Sequence, residues 1–226
     1  MKRLLAIISL VNCVALSAAE PRVAILGDSI TYDGRWPTLV ESALRSTTQF
    51  TNAEIVNLGL PSETVSGLSE EGHAGGRFVR PCLDERLDRV LVGFKPTLVL
   101  ACYGMNDGIY LPLDDARFNA YKQGILRLKG AVEKTGAKVI LITPPLYRAD
   151  KPSEDSNHYD SVLDAYGAWL NARKADGWQV VDIRPDLKAA VTKAKAADPK
   201  FTFAGDGVHP GLEGHRYIAE SICRQL

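Results

Sequence analysis

Short apolar segments alternate with longer amphipathic stretches along this chain, and this alternation is the feature that most constrains its fold. The apolar segments are rich in Val, Ile, Leu and Ala and are short enough to be strands. Such alternation is typical of a parallel sheet covered by helices. We therefore predict strands at residues 22–26, 54–58, 97–102, 138–143 and 179–182.

The stretches between these strands have the spacing of amphipathic helices. One helix is predicted from Leu83 to Phe94, and another begins after Asp114, a residue type that caps helix N-termini. The prediction is one α/β domain, a three-layer α/β/α sandwich with a five-stranded parallel sheet. Ligands of such sheets bind at the carboxyl ends of the strands. Further helices are predicted at residues 37–45, 159–174, 184–195 and 211–224.

The N-terminal segment, residues 1–19, has the pattern of a secretory signal peptide. Lys2 and Arg3 precede an apolar run, which ends in small residues up to Ala19. The run is shorter than the ~20 residues that span a bilayer, and Asn12 interrupts it. We therefore expect cleavage after Ala19, a mature domain of residues 20–226, no membrane span and a secreted or periplasmic protein.

Composition and cysteine spacing argue against a nucleic-acid-binding protein and against a metal site. A chain with 46% hydrophobic and 24% charged residues can bury a core, and its 27 basic and 27 acidic residues provide no basic field for nucleic acid. After the leader the chain keeps Cys82, Cys102 and Cys223, which allow at most one intramolecular disulfide, and the pair is left open. Because the Cys and His spacings match no zinc pattern, we expect no metal and no cofactor.

Residues able to perform nucleophilic catalysis follow the strands. Ser29 comes just after the first strand, and Asp206 and His209 lie just before the last helix. A reactive serine needs a base and a group that orients the base. The pattern predicts Ser29 as nucleophile, His209 as base and Asp206 as its orienting carboxylate.

The same strand ends offer donors for an oxyanion. Gly59 follows the second strand and Asn106 the third. We predict an oxyanion hole made of the Ser29 and Gly59 N–H groups and the Asn106 side-chain amide. A glycine in this position is interpreted as allowing the backbone to approach the substrate.

Each of these assignments has a structural alternative. Ser29 could cap a turn, and Asn106 could do the same. Asp28 adjoins Ser29 but points away from it, so we expect it to bond loop amides. His215 competes with His209, but it lies inside a helix with an apolar face, so a surface position or a satisfied core position is favoured. The role of His73 is left open between a loop residue and a substrate rim.

The four segments together resemble the SGNH/GDSL hydrolase family. "GDSI" contains Ser29, "NLGLPSET" contains Gly59, "YGMND" contains Asn106, and "DGVHP" contains Asp206 and His209. They occur in the family's order and extend over nearly all of the mature chain. The resemblance implies a flavodoxin-like fold and metal-free ester hydrolysis. Isoleucine replaces the leucine of the family's name.

We therefore predict an exported serine esterase that forms an acyl-enzyme and acts on a small-molecule or glycan ester. The loop "PPLYRADKPSEDSNHYD" after the fourth strand is polar, which favours an acetyl group on a carbohydrate. One alternative is a lysophospholipase or thioesterase of the same fold. Another is a non-catalytic glycan-binding domain. The sequence leaves the natural substrate and the oligomeric state open.

Overall fold

The computed structural model describes residues 20–226. The predicted signal peptide, residues 1–19, lies outside the described residues. Within residues 20–226, none of the helices combines the length and apolar character that crossing a membrane requires.

Five parallel strands form one sheet in the order β2-β1-β3-β4-β5, which confirms the predicted sheet. All five residues of β3 are buried, as are nearly all of β1 beside it. Strands buried on both faces need helices on both sides. The strand bounds are β1 Arg22–Gly27, β2 Glu54–Asn57, β3 Leu98–Cys102, β4 Lys138–Ile142 and β5 Gln179–Val181.

The helices form two packed groups. In one group α2 and α6 both contact α7, while in the other α3 contacts α4, and Tyr121 of α4 stacks on Tyr166 of α5 with ring centroids 4.1 Å apart. The Asp114 carboxylate caps α4 by accepting from the Arg117 N–H at 2.9 Å, as predicted. The bounds are α1 Ser29–Tyr32, α2 Arg35–Arg45, α3 Leu87–Phe94, α4 Asp115–Lys134, α5 Tyr159–Ala172, α6 Arg184–Ala197 and α7 Leu212–Gln225.

The helix predicted from Leu83 to Phe94 is divided into two pieces. A 3-10 turn covers Leu83–Glu85, and α3 begins only at Leu87, because Arg86 has a non-helical backbone with φ −127°. The Arg86 guanidinium donates to both carboxylate oxygens of the buried Glu63 at 2.6 Å. The break therefore lets Arg86 reach a partner in the loop after β2.

The three described cysteines, Cys82, Cys102 and Cys223, are free thiols. Cys102 is buried at the end of β3, and burial raises the pKa of its thiol well above the usual value. The disulfide that the sequence permitted is not formed among these three residues.

Candidate active site

The first strand ends at the carboxyl edge of the sheet with a sharp turn into α1. A Cβ on Gly27 would lie 2.0 Å from Thr31 Oγ1 and 2.8 Å from the Cys102 carbonyl oxygen, so this turn accepts only glycine. The next residue, Asp28, is the N-cap of α1, and its Oδ1 accepts from the Ile30 N–H at 2.9 Å. Ser29 is the first residue of α1 and is half-buried beside the edge of the sheet.

The segment before α7 holds a carboxylate against a histidine. Asp206 Oδ2 lies 2.7 Å from His209 Nδ1, and Asp206 Oδ1 accepts from the N–H groups of Val208 and His209 at 2.9 and 2.8 Å. Partial burial raises the pKa of Asp206, but the hydrogen bonds from the His209 ring and from the two N–H groups outweigh it. The pKa therefore lies below its usual value, and the side chain is a carboxylate at neutral pH.

The two segments meet, because Ser29 Oγ lies 2.8 Å from His209 Nε2 although the residues are 180 positions apart in sequence. The carboxylate at Nδ1 favours a proton on that nitrogen, which leaves Nε2 to accept from the serine hydroxyl. The structure thus brings Ser29, His209 and Asp206 into one hydrogen-bonded chain. Such a chain can increase the nucleophilicity of a hydroxyl.

Asn106 is buried in the loop after β3, the strand whose last residue, Cys102, pairs with Gly27 at the end of β1. Its Nδ2 donates to the Glu63 carbonyl oxygen at 3.3 Å, and its Oδ1 accepts from the Tyr110 hydroxyl at 3.0 Å. These two bonds leave one hydrogen of Nδ2 for another acceptor.

Gly59 contacts other parts of the protein through both its N–H group and its Cα. Its N–H donates to Asn57 Oδ1 at 2.9 Å, and a Cβ would lie 2.3 Å from the Tyr32 backbone nitrogen. The glycine is therefore required by its close approach to α1, and the approach of its backbone to a substrate stays a prediction. Its N–H would have to leave Asn57 before it could bind an oxyanion.

Three buried acids, Asp28, Asp107 and Glu63, lie close enough for their charges to interact. Burial raises the pKa of Asp28 to about 7, opposed by the hydrogen bond from Ile30 and reinforced by Asp107. Burial also raises the pKa of Asp107 to about 6, although its Oδ1 accepts from two backbone N–H groups at 2.8 Å. The third acid, Glu63, is fully buried and ion-paired with Arg86. The charge of His209 in turn acts to lower the pKa of Asp28, but burial outweighs it.

The other histidines lie outside the hydrogen-bonded chain. His215 is buried in α7, its Nε2 lies 3.4 Å from Asp33 Oδ1, and burial lowers its pKa to about 4. His73 Nδ1 lies 3.1 Å from Glu70 Oε1, in a loop after β2. His158 lies just before α5. His209 is thus the histidine that the structure places against Ser29.

The polar loop after β4 borders the segment that carries His209. The Arg148 N–H donates to the Gly207 carbonyl at 2.7 Å, and the two carboxylate oxygens of Asp150 accept from the N–H groups of Phe203 and Ala204, each at 2.8 Å. Asp150 therefore fixes the backbone just before Asp206. No motif marks Asp150, so the sequence contained no signal for this role.

Replacement of Asp150 tests this contact. In Asp150→Asn only one side-chain oxygen can accept, so one buried N–H loses its partner, and we expect a loss of roughly 1–3 kcal/mol in the free energy of unfolding. Urea denaturation measures it. Asp198→Asn is the matched control, because Asp198 is exposed and only one of its oxygens accepts a backbone N–H, from Lys200. Equal stability of the two variants would contradict the assignment.

A parallel sheet with a Ser–His–Asp hydrogen-bonded chain at its carboxyl edge has the architecture of a serine hydrolase. Residues 25–217 match the family model described as GDSL-like Lipase/Acylhydrolase family. The chain belongs to this family, and it is an ester-hydrolysing enzyme.

Known proteins resemble this chain in sequence or in fold. An arylesterase of Vibrio mimicus is 24% identical over 238 residues, which cover 100% of this chain and 98% of the relative. A crystal structure of an acetylxylan esterase from Geobacillus stearothermophilus superposes with a TM-score of 0.68 at 21% identity, covering 91% of this chain and 93% of that one. An alpha/beta hydrolase from the metagenome of Lake Arreo gives a TM-score of 0.68 at 23% identity, with 92% and 95% covered.

Proposed function

We propose that this protein is an exported serine esterase that removes acetyl groups from carbohydrates through an acyl-enzyme. The hydrogen-bonded chain from Ser29 Oγ to His209 at 2.8 Å and from His209 to Asp206 at 2.7 Å is the observation that carries the catalytic part of the proposal. A non-catalytic glycan-binding domain would have no use for this chain.

The reaction follows from these contacts. Ser29 Oγ attacks the ester carbonyl while His209 Nε2 takes the hydroxyl proton, and the resulting imidazolium is stabilised by the Asp206 carboxylate. His209 then gives this proton to the leaving alcohol as the carbon–oxygen bond breaks. Water attacks the acyl-enzyme in the same way, with His209 as its base, and releases the acid with regeneration of Ser29.

The oxyanion of each tetrahedral intermediate needs donors close to Ser29. The Ser29 N–H lies in the first turn of α1, where N–H groups lack intrahelical acceptors, and Asn106 has one amide hydrogen unused by its two bonds. We propose these two as the principal donors. Gly59 completes the predicted hole only in a state in which its N–H has left Asn57 Oδ1.

Two observations support a carbohydrate acetyl ester as the substrate. The loop that borders the His209 segment is polar and charged, and it contains Arg148, Asp150 and Lys151. In addition, the crystal structures that resemble this chain include acetylxylan esterases. The arylesterase relative supports an aromatic ester as the second candidate.

Export is proposed from the leader pattern of residues 1–19.

Hydrolysis of nitrophenyl acetate, butyrate and octanoate tests the substrate proposal. An enzyme for acetyl groups is expected to show the highest kcat/KM with acetate and a decline of about tenfold or more from acetate to octanoate, because a site that fits an acetyl group leaves a longer acyl chain in water. Release of acetate from acetylated xylooligosaccharides is the second measurement. A preference for octanoate would instead support the lysophospholipase or thioesterase alternative, and no hydrolysis of any ester would overturn the esterase proposal.

A further inference from the structure

A tyrosine outside the four motifs contacts Asn106. The Tyr110 hydroxyl donates to Asn106 Oδ1 at 3.0 Å, while the Glu63 carbonyl accepts from Asn106 Nδ2 at 3.3 Å. A carbonyl can only accept, so Glu63 decides which end of the amide faces it, and Tyr110 then holds the other end. Together the two partners fix the plane of the carboxamide and the direction of its remaining hydrogen.

The backbone that presents Tyr110 is in an unfavourable conformation. Ile109 and Tyr110 both have left-handed φ values, 49° and 57°, which side chains with a Cβ rarely adopt, least of all a β-branched one. The turn carries Tyr110 back over a residue four positions earlier. Strained backbone of this kind persists where its surroundings enforce it and is concentrated at functional sites.

The surroundings of Tyr110 enforce its position. Asn157 Nδ2 donates to the Tyr110 carbonyl at 2.9 Å, and the Tyr159 hydroxyl ties the turn together by donating to Met105 O and accepting from Gly108 N–H, each at 3.0 Å. The phenol ring itself is held by the Arg80 guanidinium, 5.5 Å from its centroid, and by the ring of Tyr159 at 4.9 Å. These contacts leave the hydroxyl little freedom to move away from Asn106.

We propose that Tyr110 is a positioning residue for ester hydrolysis, which orients the Asn106 amide towards the oxyanion. The inference rests on the proposed function, because it requires Asn106 to be an oxyanion donor. Tyr110 acts through Asn106 and makes no contact with the substrate in this role. Since the oxyanion exists only in the tetrahedral state, loss of the hydroxyl lowers kcat and leaves KM unchanged.

A double-mutant cycle tests this coupling, with kcat and KM measured separately on nitrophenyl acetate. We expect Tyr110→Phe to lower kcat roughly 3- to 10-fold with KM within about twofold, as for loss of one neutral hydrogen bond. Asn106→Ala alone should lower kcat about 100-fold or more. In the Asn106→Ala background Tyr110→Phe should change kcat by less than about twofold, because the group it orients is gone.

Tyr147→Phe is the matched control. Tyr147 packs on Tyr110 with ring centroids 5.5 Å apart, but its hydroxyl contacts Arg148 and not Asn106. Its removal should leave kcat within about twofold, as expected for a tyrosine with a packing role. An equal loss from Tyr110→Phe in both backgrounds would overturn the positioning role and leave the esterase proposal intact. An unchanged kcat in Asn106→Ala would instead remove Asn106 from the oxyanion hole, and this inference with it.

Discussion

Ser29→Ala is expected to lower kcat/KM for nitrophenyl acetate by roughly 10⁴- to 10⁶-fold. The substitution removes the only atom that the proposed mechanism allows to attack the carbonyl. The His209 Nε2 that now contacts Ser29 Oγ at 2.8 Å would face a methyl group. Activity that survives would come from the oxyanion donors and from water, without an acyl-enzyme.

Ester hydrolysis by the purified variant measures this loss, with thermal unfolding as the check on the fold. Ser46→Ala is the matched control, since Ser46 is exposed and its hydroxyl donates only to the Ala43 carbonyl at the end of α2. Its activity should equal that of the wild type. A Ser29→Ala variant that keeps more than about one tenth of the wild-type rate would show that another residue is the nucleophile.

Much of the fold could be predicted because its signals are local. Each strand is a short apolar run, and a run such as Leu98–Cys102 is legible without knowledge of its neighbours. The N-cap Asp114 marks the start of α4 within one turn of sequence. Parallel order places the strand ends at one edge, so Ser29 and Asn106 could be expected at the same edge of the sheet.

Other features could not be predicted because they depend on partners distant in sequence. The predicted helix is interrupted at Arg86, which pairs with Glu63, and no residue within the helix marks this interruption. Gly59 is a second example. A glycine in the sequence can indicate a close approach of the backbone, but only the structure shows that the neighbour is Tyr32 of α1. Asp150 acts on a segment more than 50 residues later.

Two buried acids, Asp28 and Asp107, hold the loops of the site. Asp28 and Asp107 adjoin Ser29 and Asn106 in sequence, and burial raises the pKa of each carboxyl, to about 7 and about 6. Each also accepts backbone N–H groups that shape the loops, Ile30 for Asp28 and Val65 and Ser66 for Asp107. They therefore support the loops that present the serine and the amide.

Asp206→Asn is expected to lower kcat/KM roughly 10³- to 10⁴-fold. The asparagine oxygen can still accept from the N–H groups of Val208 and His209, so the loop keeps its shape. The lost feature is the carboxylate oxygen at 2.7 Å from His209 Nδ1. An amide there offers no charge to stabilise the imidazolium, and its N–H favours the tautomer in which Nε2 carries the proton and cannot accept it from Ser29.

The charge of Asp206 also contributes to the stability of the wild type. Because the pKa of Asp206 lies below its usual value, the carboxylate and the stability it contributes persist above the usual pKa and are lost only as pH falls through the lowered one. In Asp206→Asn this group no longer titrates.

Glu213→Gln is the control for the loss of activity in Asp206→Asn, as it removes one exposed charge of α7 that pairs with Arg216 and not with His209. If both variants hydrolyse nitrophenyl acetate within about tenfold of the wild type, Asp206 does not orient the base, and the serine would depend on His209 alone.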